Sequence, residues 1–181
     1  MAKKLTEKAL VKRLDVMSRE ELGKIIIELF KTNKTVEARL NMRFLGEEYG
    51  SALLEKYKKQ LYKIFNPSNL RSGFSLERAQ MVLSDFADIC DSGRWYGDLA
   101  LYFAECATDF TMSYGDINEE FYDALGDAYH DAVVIASKDV ELYKLWKDRL
   151  EYIFHELSGF GWGMDAFISD EYYSIPWIEE D

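Results

Sequence analysis

Little in the 181-residue chain interrupts a helix, and little builds a familiar reactive centre. Only two prolines occur, so long helices can run without a forced break. The two cysteines, Cys90 and Cys106, lack Cys-x-x-Cys spacing and support neither a zinc cluster nor a dithiol redox motif. Both fall in apolar helical patterns, which points to buried, inert thiols. No His-Glu-x-x-His, nucleophile elbow or Gly-rich phosphate loop occurs. GFGWG at 159–163 lacks the strand-turn-helix setting of a dinucleotide loop and reads as a helix stop. There is no secretory apolar core and no run of 18 apolar residues. The expectation is therefore a cytoplasmic protein without a membrane partner.

What is present favours helices. Hydrophobic residues make up 48% and aromatics 15% of the chain, enough to fill one sizeable core. Apolar residues recur at three-four spacing, and no segment alternates with period two for long enough to make a strand. Thr6 is placed to cap a first helix containing Leu10, Leu14 and Met17. Ser18 opens SREEL, a capping box with Glu21, followed by Leu22, Ile25, Ile26, Leu29 and Phe30. Thr35 is expected to cap a short helix to Met42, and a longer one runs over 47–65 with Lys56, Lys59 and Lys63 outward. Asn66–Phe74 reads as a loop. Ser75 caps the next helix, with Gly93 as its left-handed C-cap. A helix from about Trp95 carries Leu99, Phe103, Cys106 and Phe110; Asp116 is expected to cap its successor, and Asp139 the one after. A last short helix precedes an aromatic, acidic end.

The fold expectation is all-α: about eight helices in antiparallel hairpins forming one domain. Basic N-terminal helices cover 1–65, acidic hairpins 75–158, and an aromatic acidic tail 159–181. Charge follows that division. Residues 1–64 hold 15 Lys and Arg against 9 Asp and Glu, and residues 65–181 hold 7 against 24, for a net −11. The acidic part repels phosphates, which makes direct nucleic-acid binding an unfavourable expectation.

FYDALGDAYHDAV, 121–133, concentrates the functional question. Tyr122, Leu125, Gly126 and Tyr129 stand in an order that resembles the first helix of a tetratricopeptide repeat. That resemblance covers one helix and implies repeat-like helical hairpins. Over most of the chain, SREELGKIIIELF, SLERAQMVLSDFADICDSGRW, YGDINEEFYDALGDAYHDAV and GWGMDAF together resemble small bacterial helical proteins known only as domains of unknown function. They are also similar to the helical region C-terminal to SWIM zinc fingers. The resemblance implies a fold and carries no functional residues with it.

At 100° per residue, Phe121, Tyr129, Ala132 and Ala136 share the Leu125 side of this helix. Glu120, Asp123, Asp127, His130 and also Asp116 fall on the opposite, outward side. Asp127 with His130, and Glu151 with His155, have helical ligand spacing, and a metal-dependent enzyme using these four is one alternative. An outward acidic ridge points instead to a non-enzymatic protein-binding module with no cofactor and no metal. Its expected contact residues are Glu120, Asp123, Asp127 and His130, with Trp95, Tyr96 and Trp177 as aromatic anchors. The expected partner is a protein with a basic surface. A second alternative is a small acidic inhibitor, of immunity, anti-defence or nucleic-acid-mimic type, that fills a basic groove on an enzyme.

Overall fold

The computed structural model describes residues 4–67, 73–90 and 93–178. Its regular structure is entirely helical. Nine helices are formed among the described residues: α1 Glu7–Leu14, α2 Arg19–Thr32, α3 Lys34–Leu45, α4 Glu47–Phe65, α5 Leu76–Ile89, α6 Gly93–Tyr114, α7 Glu119–Ala136, α8 Val140–Glu156 and α9 Met164–Tyr173. None is long and apolar enough to cross a membrane.

Short polar side chains set most of the boundaries. Ser18 and Glu21 close the capping box, the Ser18 amide donating to Glu21 Oε2 at 2.8 Å and the Glu21 amide to Ser18 Oγ at 3.2 Å. Thr6, Ser75 and Asp139 cap α1, α5 and α8 as expected. Several boundaries differ from the sequence reading: α1 ends at Leu14, short of Met17, and α3 runs past Met42 to Leu45. Asn33, not Thr35, caps α3, accepting from the Thr35 and Val36 amides. Asn118, not Asp116, caps α7 through the Phe121 amide at 3.0 Å. Each segment offers more than one capping residue within two positions, and the amide that each observed cap accepts from lies one turn on. Gly93 opens α6 instead of ending α5, which stops at Ile89 with Cys90 extended. The expected loop at 66–74 lies partly outside the described residues, as do Asp91 and Ser92.

The main helix contacts join elements one or two apart along the chain: α6 packs on α7, α4, α8 and α5, and α9 packs on α7 and α8. This sliding arrangement is that of stacked helical hairpins. It places α4, α6 and α8 side by side, with α7 and α9 packed against them. The centre is α6, buried along much of its length from Gly97 through Leu99, Phe103 and Ala107 to Thr111. A Cβ on Gly97 would stand 2.7 Å from the buried Trp146 ring, so only glycine lets α8 approach that closely. Phe65, Phe74, Phe103, Phe110 and Phe121 form a chain of ring contacts from α4 to α7. Cys90 and Cys106 are buried, and burial, the leading influence, pushes the Cys106 thiol up to about 12.

The N-terminal helices stand apart energetically. Neither α1 nor α2 contains a buried residue, although the α2 stripe was the clearest helical pattern in the chain. Ile26 is 51% exposed, against 0% for Leu150. Amphipathic periodicity reports a helix; what covers its apolar side is settled elsewhere. In urea denaturation, Ile26→Ala is expected to change stability by less than about 0.5 kcal/mol. Leu150→Ala should cost about 2–5 kcal/mol. A large Ile26 effect would mean that the stripe is covered within the chain.

Candidate functional site

Helix α7 divides as its period dictates. Tyr122, Leu125, Gly126 and Tyr129 are buried, the last with its hydroxyl donating to the Leu150 carbonyl at 3.3 Å. The close neighbour of Gly126 is Phe167 of α9, 3.1 Å from where a Cβ would stand. Thus the glycine admits the last helix against α7. Glu120, Asp123, Asp127 and His130 are all exposed on the other side. No cation stands within ion-pair distance of Glu120, Asp123 or Asp127 among the described residues. His130 is different: its Nδ1 lies 2.8 Å from Glu171 Oε2 of α9, so it ties two helices together.

The aromatic candidates separate in the same way. Tyr96 on α6 flanks the ridge and donates to Asp131 Oδ2 at 2.6 Å. Burial first, then Asp131 and the charge of Asp127, push its phenol well above the ordinary value, which keeps it a hydrogen-bond donor. Trp95 is partly buried over α4, with a Gly50 Cβ position 2.8 Å from its ring, packs against the core, and has the Arg94 guanidinium 5.0 Å from its ring centroid. Trp177 does not stand free. Its indole N–H donates to the Ala136 carbonyl at 3.0 Å, satisfying one of the open carbonyls at the C-terminus of α7. The tail folds back onto the helix pair.

Asp116 is a correction to the expected ridge. Its Oδ1 accepts from the Tyr122 hydroxyl at 3.0 Å and from the Trp162 indole at 2.6 Å. Tyr122 also meets Thr111 Oγ1 at 2.8 Å and accepts from the Ile117 amide at 3.2 Å. Together these contacts lock the α6–α7 turn to the α8–α9 loop. Trp162 takes a left-handed φ of 59° there, a conformation uncommon outside glycine. No three His, Cys, Asp or Glu side chains among the described residues are placed to hold one metal ion. Asp127, His130, Glu151 and His155 therefore do not assemble: Glu151 receives the Tyr172 hydroxyl at 3.1 Å, and His130 faces Glu171.

Sequence reading missed a four-residue charge network across α4, α6 and α8. Arg149 donates from Nε and Nη2 to the two Glu105 oxygens at 2.6 and 2.7 Å, and from Nη1 to Asp98 Oδ1 at 2.8 Å. Lys58 Nζ lies 2.8 Å from the same Asp98 oxygen. Two cations and two carboxylates balance, so this cluster adds no net charge. Only the spacing of Asp98 and Glu105 along α6 hinted at it, and nothing in the sequence names Lys58 or Arg149 as partners. No protein-family model, curated protein or solved structure matches the chain.

Burial opposes charge on Asp98, but hydrogen bonds and the nearby charges of Lys58 and Arg149 outweigh it and hold the carboxyl below its ordinary value. A depressed carboxyl adds stability that is present above its unfolded value and lost as pH falls through the folded one. The urea midpoint should therefore drop below about pH 4, and Asp98→Asn should flatten that acid limb. Arg149→Met, which strands Glu105 and leaves Asp98 with Lys58 alone, should cost roughly 3 kcal/mol at neutral pH. An unchanged acid limb in Asp98→Asn would remove Asp98 from the linkage.

Proposed function

We propose that the protein is a non-enzymatic protein-binding module that presents an acidic helical surface to a partner with a basic one. The observation that carries this reading is the α7 ridge: Glu120, Asp123 and Asp127 are exposed along one face, unpaired with any cation among the described residues. Uncompensated charges on a rigid helix raise the encounter rate with an oppositely charged surface and set its orientation. Tyr96 and Asp131 extend the ridge onto α6. A phenol beside carboxylates adds an apolar face and a polar tip, a pairing common at interfaces. His130 at the ridge end is held by Glu171, which makes it a border of the surface.

A second reading draws on the excess of 24 acidic over 7 basic residues after position 64. An acidic inhibitor that occupies a basic nucleic-acid groove uses the same chemistry with a narrower class of partner. Cytoplasmic residence belongs with both readings.

Quantitative capture of partners from a lysate of the source organism, at low and moderate salt, tests the ridge. Glu120→Lys combined with Asp127→Lys should weaken capture about tenfold and lessen its salt dependence. Thermal stability should stay close to that of the parent chain, since both residues are exposed. Unchanged affinity and salt dependence would reduce the ridge to a solvated helix face. Competition by excess duplex DNA would select the inhibitor reading.

A further inference from the structure

A second site lies on the α4–α6–α8 layer, away from the α7 ridge, and does not depend on it. The residues Tyr102, Cys106, Asp109 and Ser113 recur along one side of α6, with Tyr114 at its end. Tyr62 from the last turn of α4 and Tyr152 from α8 flank them around an open cleft of about 380 Å³, in which Tyr62, Asp109, Tyr114 and Tyr152 are exposed. Phe65, Cys106 and Phe110 in its lining are core residues. Four tyrosines and two carboxylates, Glu105 and Asp109, line it, and among the described residues no Lys or Arg does.

The charges in this cavity are unequal in availability. Both Glu105 oxygens are occupied by Arg149. Asp109 accepts the Tyr152 hydroxyl and has no cation within ion-pair distance among the described residues. The cavity therefore keeps about one unbalanced negative charge, set among aromatic rings. Burial raises the Tyr102 and Tyr152 phenols well above their ordinary values, so the walls stay neutral. Tyr102 already serves as a platform for a cation: Lys58 Nζ lies 5.5 Å from its ring centroid.

We infer that this tyrosine-lined cavity binds an organic cation, an alkylammonium or guanidinium head on a short apolar stem. Ring faces attract a cation and shed water from its carbons, and Asp109 supplies the counter-charge. An anion would meet the uncompensated carboxylate. A neutral apolar molecule would leave Asp109 facing it without a charge partner.

Nuclear magnetic resonance titration of the ¹⁵N-labelled full chain provides the test. The probes are n-butylammonium and n-butylguanidinium, with n-butanol as the neutral control. The expected result is saturable shifts of amides over 102–114 by both cations, with n-butanol about tenfold weaker. Asp109→Asn and Tyr62→Ala should each weaken the cations several-fold. Tyr62 is 56% exposed, so its variant keeps the fold even if Asp109→Asn does not. Glu120→Lys with Asp127→Lys should leave these shifts unchanged, which separates this site from the ridge.

Lysine and arginine blocked at both backbone ends assign the source. Binding at least as tight as the free cations supports a side chain of a protein partner, and weaker binding supports a small free cation. Equal binding of n-butanol, shifts that survive both cavity substitutions, or no saturable shift at all would overturn the inference.

Discussion

Burial of α6 is the constraint on which the rest of the molecule depends. A helix with apolar or small residues around much of its circumference must be covered on several sides. Here α4, α5, α7 and α8 supply that cover. Small residues at Gly97, Ala100, Ala104 and Ala107 keep the helix thin enough for close approach. The large rings of Phe103 and Phe110 fill the wider gaps. Because four helices converge on one, the part-buried carboxylates of α6 find their cations on neighbouring helices. The Asp98–Glu105–Lys58–Arg149 network does so, binding α4, α6 and α8 by charge beside their apolar contacts.

The same constraint sorts the exposed surface. Helix α7 gives one face to α6 and α9 and leaves the other to solvent, so its carboxylates form a ridge without further design. The groove over α6 arises where α4 ends and α8 crosses, leaving tyrosines from three helices around Asp109. At the other extreme, α1 and α2 pack too little to bury a single residue. Their contribution to stability is correspondingly small, whatever their helical propensity.

Much of this was legible along the chain. The capping residues Thr6, Ser18, Ser75 and Asp139 act within one turn of themselves, so local chemistry is enough to locate them. The inward set Phe121, Leu125, Tyr129, Ala132 and Ala136 follows from period alone, as does the outward set Glu120, Asp123, Asp127 and His130. Where two capping residues compete, as with Asp116 and Asn118, the reading needed tertiary information: Tyr122 and Trp162 draw Asp116 away. The pinning of the Trp177 indole was not legible because its acceptor, the Ala136 carbonyl, lies 41 positions back along the chain. The His130–Glu171 pair was hidden for the same reason, since Glu171 belongs to a different helix.

The sequence by itself determined an all-helical chain, most of its helix boundaries, its charge asymmetry and which side of each long helix is apolar. These depend on interactions a few residues apart. Only the tertiary structure decided which carboxylates are neutralised, which aromatics are pinned, and where tyrosines from separate helices meet. Those outcomes require contacts between distant segments, and helical periodicity gives the direction of a side chain without naming what it faces. Asp98 and Asp109 show the difference. Both sit on α6, yet one lies between Lys58 and Arg149 and the other stands among tyrosines with no cation paired to it among the described residues.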